Sequence, residues 1–384
     1  MKILIKNGRV IDPENNLDEL RDILVSNGKI DKVARNIDDQ ADEVIEAKDK
    51  IVLPGLVDMH VHLREPGRED KETVASGTAS AAKGGVTSVL AMPNTDPVID
   101  CAENVALLKD IIHKTANVNV FICASITRSR LGQELTDIAR LKKEGVLAIS
   151  DDGASVDSGE VMSAALQQAK GADLLVICHS EDKSLSRVHI THVTCRESVE
   201  IISQAKKKGS PVTCDATPHH FALCEEAVLG FDTNFKMNPP LRSKDDMLSL
   251  RQALSDGTID AIASDHAPHT ENEKEIEFER AEFGVIGLET ELAASITELV
   301  HTGLLDWKGL VEKLALNPAK ILGIARGTLS VGASADLIVV SADREWLVEK
   351  EALVSKSKNC AFLGKKLKGS IEYTVCNGKI IYKG

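Results

Sequence analysis

The chain has 384 residues, enough for one large domain or for a large and a small one, and 43% of them are hydrophobic, which argues against disorder. Its net charge is −13, from 46 basic and 59 acidic residues, with no Lys/Arg cluster. That balance excludes nucleic acid and anionic membrane surfaces as expected partners, since both are bound by neutralising phosphate. No apolar run reaches the roughly 18 residues of a membrane span, and Met1–Gly8 has the pattern of a strand rather than a signal peptide. The eight cysteines are scattered and form no C-x-x-C pair, which predicts reduced thiols and a cytosolic (cytoplasmic) protein.

Taken in order, the chain is β-rich at both ends. Asn7-Gly8, Asn27-Gly28 and Asn377-Gly378 each lie between apolar stretches, and Asn-Gly supplies the positive φ angles of a two-residue turn, so each predicts a hairpin. Residues 1–52 and about 325–384 are therefore expected to meet as one small β-sandwich domain. Between them, 53–324 alternates short apolar runs with helical patterns. The runs fall at 56–62, 86–93, 118–126, 146–150, 174–179, 188–193, 212–216 and 259–264. Helical periodicity is seen at 102–114, 197–208 and 244–254, among other gaps. Eight βα units over this length predict an α/β fold, a (β/α)8 TIM-type barrel. A doubly wound open sheet is the runner-up, but no G-x-G-x-x-G follows a strand. One gap is too short: only Glu181 to Arg187 separates the fifth run from the sixth, whereas parallel neighbours need a crossover of about a dozen residues or more. A loop and helix are expected to be missing near 183–187.

In such a barrel the chemistry gathers where the strands end. The first run ends in His60 and His62, whose spacing puts both imidazoles on one side of a strand. The fourth ends in Asp151-Asp152-Gly153, the fifth in His179, and the sixth contains His192. The eighth ends in Asp265-His266, with His269 after it. A lone strand histidine is usually a packed or hydrogen-bonded one, and H-x-H alone is weak. The coincidence of His or Asp at five of eight strand ends carries the reading of a metal centre. Imidazole and carboxylate together suit zinc, and ligand type alone also admits manganese, cobalt or nickel. His219 and His220 are expected in supporting roles, and His113, His189 and His301 in structural ones. Gly67, Gly84 and Gly85 read as turn and helix-end glycines.

The H-x-H first strand and the Asp on the last resemble the amidohydrolase superfamily. Within it, His60-Val61-His62-Leu63-Arg64-Glu65-Pro66-Gly67, Met92-Pro93-Asn94-Thr95, Met237-Asn238-Pro239-Pro240-Leu241-Arg242 and Ser264-Asp265-His266-Ala267-Pro268-His269 resemble the dihydroorotases, in particular the bacterial class with Asp-Asp-Gly on the fourth strand. The resemblance implies interconversion of dihydroorotate and N-carbamoyl-L-aspartate in pyrimidine synthesis. It implies two zinc ions, one held by His60, His62 and Asp265, a second by His179 and His192, with Asp152 between them. Asp265 would also move the proton. Arg64, Asn94, Asn238 and His269 would grip the substrate carboxylate, and the backbone at Phe283-Gly284 would touch the ring. Some such enzymes associate with aspartate transcarbamoylase.

Arg64 stands two residues beyond His62, and a guanidinium fork matches a carboxylate. Hydantoinases, dihydropyrimidinases and allantoinases act on rings without that carboxylate and have no need of Arg64. A non-catalytic scaffold relative is a different alternative, and such proteins usually lose metal ligands, all six of which are present here.

Overall fold

Apolar runs from both ends of the chain pair into one eight-stranded sheet. The structure, a computed structural model, describes residues 1–156, 158–178 and 188–384. The N-terminal strands are β1 (Lys2–Asp12), β2 (Leu17–Ser26), β3 (Lys29–Ala34), β4 (Glu43–Glu46) and β5 (Ile51–Pro54). The barrel strands are β6 (Leu56–Val61), β7 (Val86–Ala91), β8 (Asn119–Ala124), β9 (Ala148–Ile149), β10 (Leu175–Cys178), β11 (Val188–Ile190), β12 (Val212–Ala216) and β13 (Ala261–Ile262). The chain returns to the first sheet in β14 (Leu337–Leu347), β15 (Lys366–Cys376) and β16 (Lys379–Lys383). The order is β16-β15-β14-β5-β1-β2-β3, with β4 also beside β1. The termini are joined where β5 pairs antiparallel with β14, Val52 opposite Val339. Ile3, Ile5, Ile23, Val25, Val52, Leu337 and Val339 pack together as this sheet's own core.

Two of the three Asn-Gly pairs make the expected hairpins. Asn27-Gly28 joins β2 to β3 and Asn377-Gly378 joins β15 to β16, all four residues at positive φ. The third does not. Asn7-Gly8 lies inside β1, at a bulge where the strand leaves β4 as partner and takes up β5. Gly8 is required there by close packing, since a Cβ would stand 2.5 Å from Val52 Cγ2. A bulge and a turn ask for the same dipeptide, and only the pairing separates them.

Strands β6 to β13 are parallel, each bonded to the next, and the ring closes through a bridge between Val61 and His266. Helices α1 (Val74–Gly84), α2 (Ala102–Thr115), α3 (Ile138–Lys143), α4 (Gly159–Ala172) and α5 (Arg196–Lys207) lie between successive strands, and α6 (Pro218–Ala222) and α7 (Lys244–Asp256) both lie between β12 and β13. Their local logic is legible. Thr73 and Ser76 form a capping box at the start of α1, and Gly85 ends it at φ 83°. In α4, Met162, Ala165, Leu166 and Ala169 recur at helical spacing and form the buried stripe. Several strands are shorter than the apolar runs, because the last residues of each run leave the ladder to face the rim. β10 and β11 pair directly, Val176 opposite Val188, with nine residues of sequence between Cys178 and Val188. The crossover expected to be missing near 183–187 lies outside the described residues.

Gly84 marks where α1 meets the segment after the eighth strand: a Cβ on it would lie 1.9 Å from the Leu288 carbonyl oxygen. The Gly84→Ala variant should therefore lose about 1–3 kcal/mol of stability through overpacking. Urea unfolding reads this directly, and an unchanged midpoint would show that the two backbones can part without cost.

Candidate active site

Asp58 and His60 in β6 and His62 just beyond its end are all buried. His60 Nε2 lies 3.3 Å from Asp152 Oδ1 and 3.5 Å from Asp265 Oδ1. His62 Nε2 lies 3.3 Å from Asp152 Oδ2 and 3.3 Å from Asp265 Oδ1. His60, His62 and Asp152 offer ligand atoms within 4.8 Å of one another, close enough for one metal ion. Three strands supply this cluster: Asp152 follows β9 and Asp265 follows β13.

The free nitrogens are set by partners behind the rings. His60 Nδ1 is 2.7 Å from Thr191 Oγ1. The threonine hydroxyl points its own hydrogen toward Asp215, 3.1 Å away, so it accepts from His60 and leaves Nε2 bare. His62 Nδ1 is 2.8 Å from Asn94 Oδ1 and donates to it, which bares its Nε2 likewise. Asp58 accepts from the His60 backbone N–H at 3.0 Å and from the amide and hydroxyl of Ser264, tying the first strand to the last. Asp215 also accepts from the His192 backbone N–H at 2.7 Å and pairs with His189 Nε2 at 2.8 Å. His192 stands beside the cluster, its ring centroid 5.5 Å from that of His60. Asp151 turns away from it and accepts from the amides of Ile126 and Thr127 and from the Thr127 hydroxyl. His179 lies outside the described residues.

The charges are those of a site built around a cation. Burial pushes the His60 imidazolium down, yet Asp152 and Asp265 outweigh it and raise it to about 10. Burial likewise opposes the Asp265 carboxylate, but His60 and His62 hold it well below the usual carboxylate range. His60 Nε2 is fully buried and has no hydrogen-bond partner. A buried imidazole nitrogen that two carboxylates would otherwise keep protonated fits a divalent metal, which would take the place of that proton, in its ligand types and in its charge.

On the rim, Arg64 donates from Nε to the Pro268 carbonyl at 3.1 Å, and its Nη2 lies 3.3 Å from His269 Nε2. Asn238 is exposed, on a segment that His220 holds through the Pro239 carbonyl at 2.9 Å. His219 is buried against His220 and is pushed far below its ordinary pKa, first by burial. Phe283 is exposed, with Lys236 Nζ 4.4 Å from its ring centroid. Gly284 spends both its polar backbone groups inside the protein, its amide on Lys236 and its carbonyl on Lys274 and Asn359. His113 lies in the last turn of α2, and His301 is 3.9 Å from Asp343; neither is in the cluster. The sequence reading missed Asp58, Thr191 and Asp215. Asp58 had a signal, since it continues the alternation of His60 and His62 by one step; the other two had none short of the fold.

A family model described as Dihydro-orotase-like matches residues 49–223. A dihydroorotase of Elusimicrobium minutum (strain Pei191) is 48% identical over 420 positions, covering 99% of this chain and 97% of that protein. A dihydroorotase of Geotalea daltonii is 45% identical over 427 positions, with full coverage of both. The chain belongs to the dihydroorotase family. Since it has only 384 residues, the Geotalea dihydroorotase carries residues with no counterpart here. Among solved structures, the L-hydantoinase (dihydropyrimidinase) of Arthrobacter aurescens superposes with a TM-score of 0.92 at 23% identity, covering 99% of this chain and 96% of that one. The dihydropyrimidinase of Brevibacillus agri gives 0.89 at 20% identity, covering 100% and 95%. These two show the shared fold. Among the described residues no helix is long and apolar enough to cross a membrane.

For this dihydroorotase-family site, Thr191→Val keeps the volume and removes the acceptor that holds the His60 proton on Nδ1. Metal affinity should fall by roughly 10–100-fold, the usual cost of losing such a support. Competition with a chelator measures it; an unchanged affinity would mean that His60 is oriented by packing alone.

Proposed function

We propose that the chain is a zinc-dependent dihydroorotase that reversibly hydrolyses the ring amide of dihydroorotate to N-carbamoyl-L-aspartate in the synthesis of pyrimidines (UMP). The observation that carries the proposal is the pair formed by Arg64 and His269 next to the His60–His62–Asp152 cluster: donors for a carboxylate stand beside ligands for a metal.

His60, His62 and Asp265 would hold one ion and His192 with His179 a second, Asp152 serving both. When bound, such metals polarise a carbonyl and lower the pKa of water toward ~7. Asp265 is held ionised by its neighbours, so it can take the proton of the attacking water and pass it to the leaving ring nitrogen. Arg64 presents a charged fork to the exocyclic carboxylate. Asn94 gives its oxygen to His62, which leaves its amide nitrogen for the substrate. Asn238 would close over the carboxylate from its exposed segment. Contact with the ring through Phe283-Gly284 would fall to the Phe283 backbone, since Gly284 is already engaged. Association with aspartate transcarbamoylase rests on the family resemblance, and a cytosolic setting on eight scattered cysteines with no C-x-x-C pair. We further infer that the relatives' unmatched residues include a crossover segment belonging between β10 and β11; an alignment placing them outside 179–187 would remove that inference.

Dihydroorotate should be turned over while hydantoin and allantoin are not, and Arg64→Ala should cost about 1.5–3 kcal/mol in kcat/KM for dihydroorotate with metal content unchanged. A zinc-loaded enzyme that opens hydantoin and ignores dihydroorotate would make this a hydantoinase-like hydrolase instead.

Many amidohydrolases bridge two metals with a lysine carboxylated by carbon dioxide. No lysine stands at the C-terminal end of β9: Lys142 and Lys143 belong to α3, ahead of the strand, and Lys142 Nζ donates to the Asp173 carbonyl. Asp152 faces both His60 and His62 instead. Metal-stripped enzyme should regain activity with zinc alone in bicarbonate-free buffer, and Asp152→Ala should lose at least one metal. Recovery that requires bicarbonate would transfer the bridge to a carboxylated lysine.

A further inference from the structure

Behind His269 lies a lysine to which nothing above gives a role. Lys71 is 5% exposed, and its Nζ lies 2.8 Å from Glu273 Oε1 and 3.1 Å from His269 Nδ1. Its backbone is pinned as well, the carbonyl accepting from the Ser357 hydroxyl at 2.7 Å. Burial first, then the charges of Arg64 and Lys71, push the His269 imidazolium down to about 3, so the ring is neutral and has one proton. An ammonium has three donors and no acceptor, and a guanidinium likewise only donates. His269 therefore stands between two pure donors, Lys71 at Nδ1 and Arg64 Nη2 at Nε2, and can accept from only one of them.

Two arrangements compete. With the proton on Nδ1, His269 would point it at Glu273 Oε2, 3.5 Å away, and accept from Arg64. That oxygen already accepts from the amide and hydroxyl of Thr270, at 3.0 and 3.1 Å, and the buried Lys71 ammonium would be left facing an N–H. With the proton on Nε2, the enclosed contact between Lys71 and His269 is satisfied, and the mismatch moves to the side of Arg64. There, two donors stand 3.3 Å apart with no acceptor between them. A carboxylate can accept from both at once.

Resting on the dihydroorotate reading above, we propose that Lys71 is a positioning residue: it fixes His269 as the Nε2–H form, so that His269 and Arg64 turn two donors onto the substrate carboxylate. Binding then relieves a mismatch built into the free enzyme, which is a form of preorganisation.

The test uses the zinc-loaded full chain with 15N-labelled histidine, His269 being assigned from a His269→Asn sample. Long-range 15N–1H spectra should show His269 bare at Nδ1 and protonated at Nε2; the opposite tautomer overturns the proposal without any change at Lys71. In steady-state kinetics with dihydroorotate, Lys71→Met should raise KM about tenfold, the loss of one charge-assisted hydrogen bond, with kcat within about twofold, and Lys71→Arg, which keeps a donor, should recover most of it. Wild-type turnover with an unmoved KM in Lys71→Met would refute the positioning role while the activity stands. If the wild type does not act on dihydroorotate at all, the activity reading falls, and the tautomer spectrum still decides what Lys71 does to His269.

Discussion

A histidine can bind a metal only through a nitrogen that carries no proton, and in a dry site its other nitrogen must find an acceptor. That requirement organises the centre of this barrel. His60 is served by Thr191, which leans on Asp215, which in turn takes up His189 and the backbone of His192. His62 is served by Asn94. Each link passes a proton-side constraint outward until it reaches a strand, so the two imidazoles are held by the ladder itself. The rim places the opposite partner behind a ring: Lys71, paired with Glu273, presents a donor rather than an acceptor to His269 Nδ1.

The backbone bears a matching constraint. Arg64, His192 and Asp265 lie at φ 64°, 39° and 47°, a region that side chains other than glycine seldom occupy. These are the positions where strands leave the barrel and must turn a side chain back over its mouth. The C-terminal part of the chain braces the segment that follows Asp265. Asn359 donates to the Ala267 and Gly284 carbonyls and accepts from the His269 amide, and Ser355 and the Lys356 amide hold Glu72, which faces His266. The residues that return to the terminal sheet thus set the height of the loops after the eighth strand.

How much of this could be read from the sequence follows from the range of each interaction. The barrel was legible because period-2 and period-3.6 patterns are local, and the His60–His62–Asp152 cluster because strand ends converge in any closed parallel sheet. Asn7-Gly8 was misjudged because a bulge and a hairpin ask for the same dipeptide, and the choice is made by Val52, more than forty residues away. Thr191, Asp215 and Lys71 were invisible for a similar reason. A threonine or a lysine in a sequence has no mark of the imidazole it will support, since that partner arrives only when the ring closes.

Nor can the fold choose the substrate. A barrel that superposes on hydantoinases at TM-scores near 0.9 with little more than a fifth of residues identical shows that scaffold and chemistry separate. A metal cluster opening a ring amide needs only a carbonyl to polarise and a proton to move, and every cyclic amide offers both. What differs among such rings is what hangs from them. On the proposed reading, the half-buried Arg64 and the buried His269 stand as donors beside the His60–His62–Asp152 cluster at a cost in desolvation, as the depression of Arg64 to about 10 by burial records. A ring without a carboxylate would leave those donors unmatched, and the cost of burying them would go unreturned. On that proposal, discrimination comes from the rejected substrate's failure to satisfy groups that the right one satisfies, the more severe form of selectivity a pocket can have.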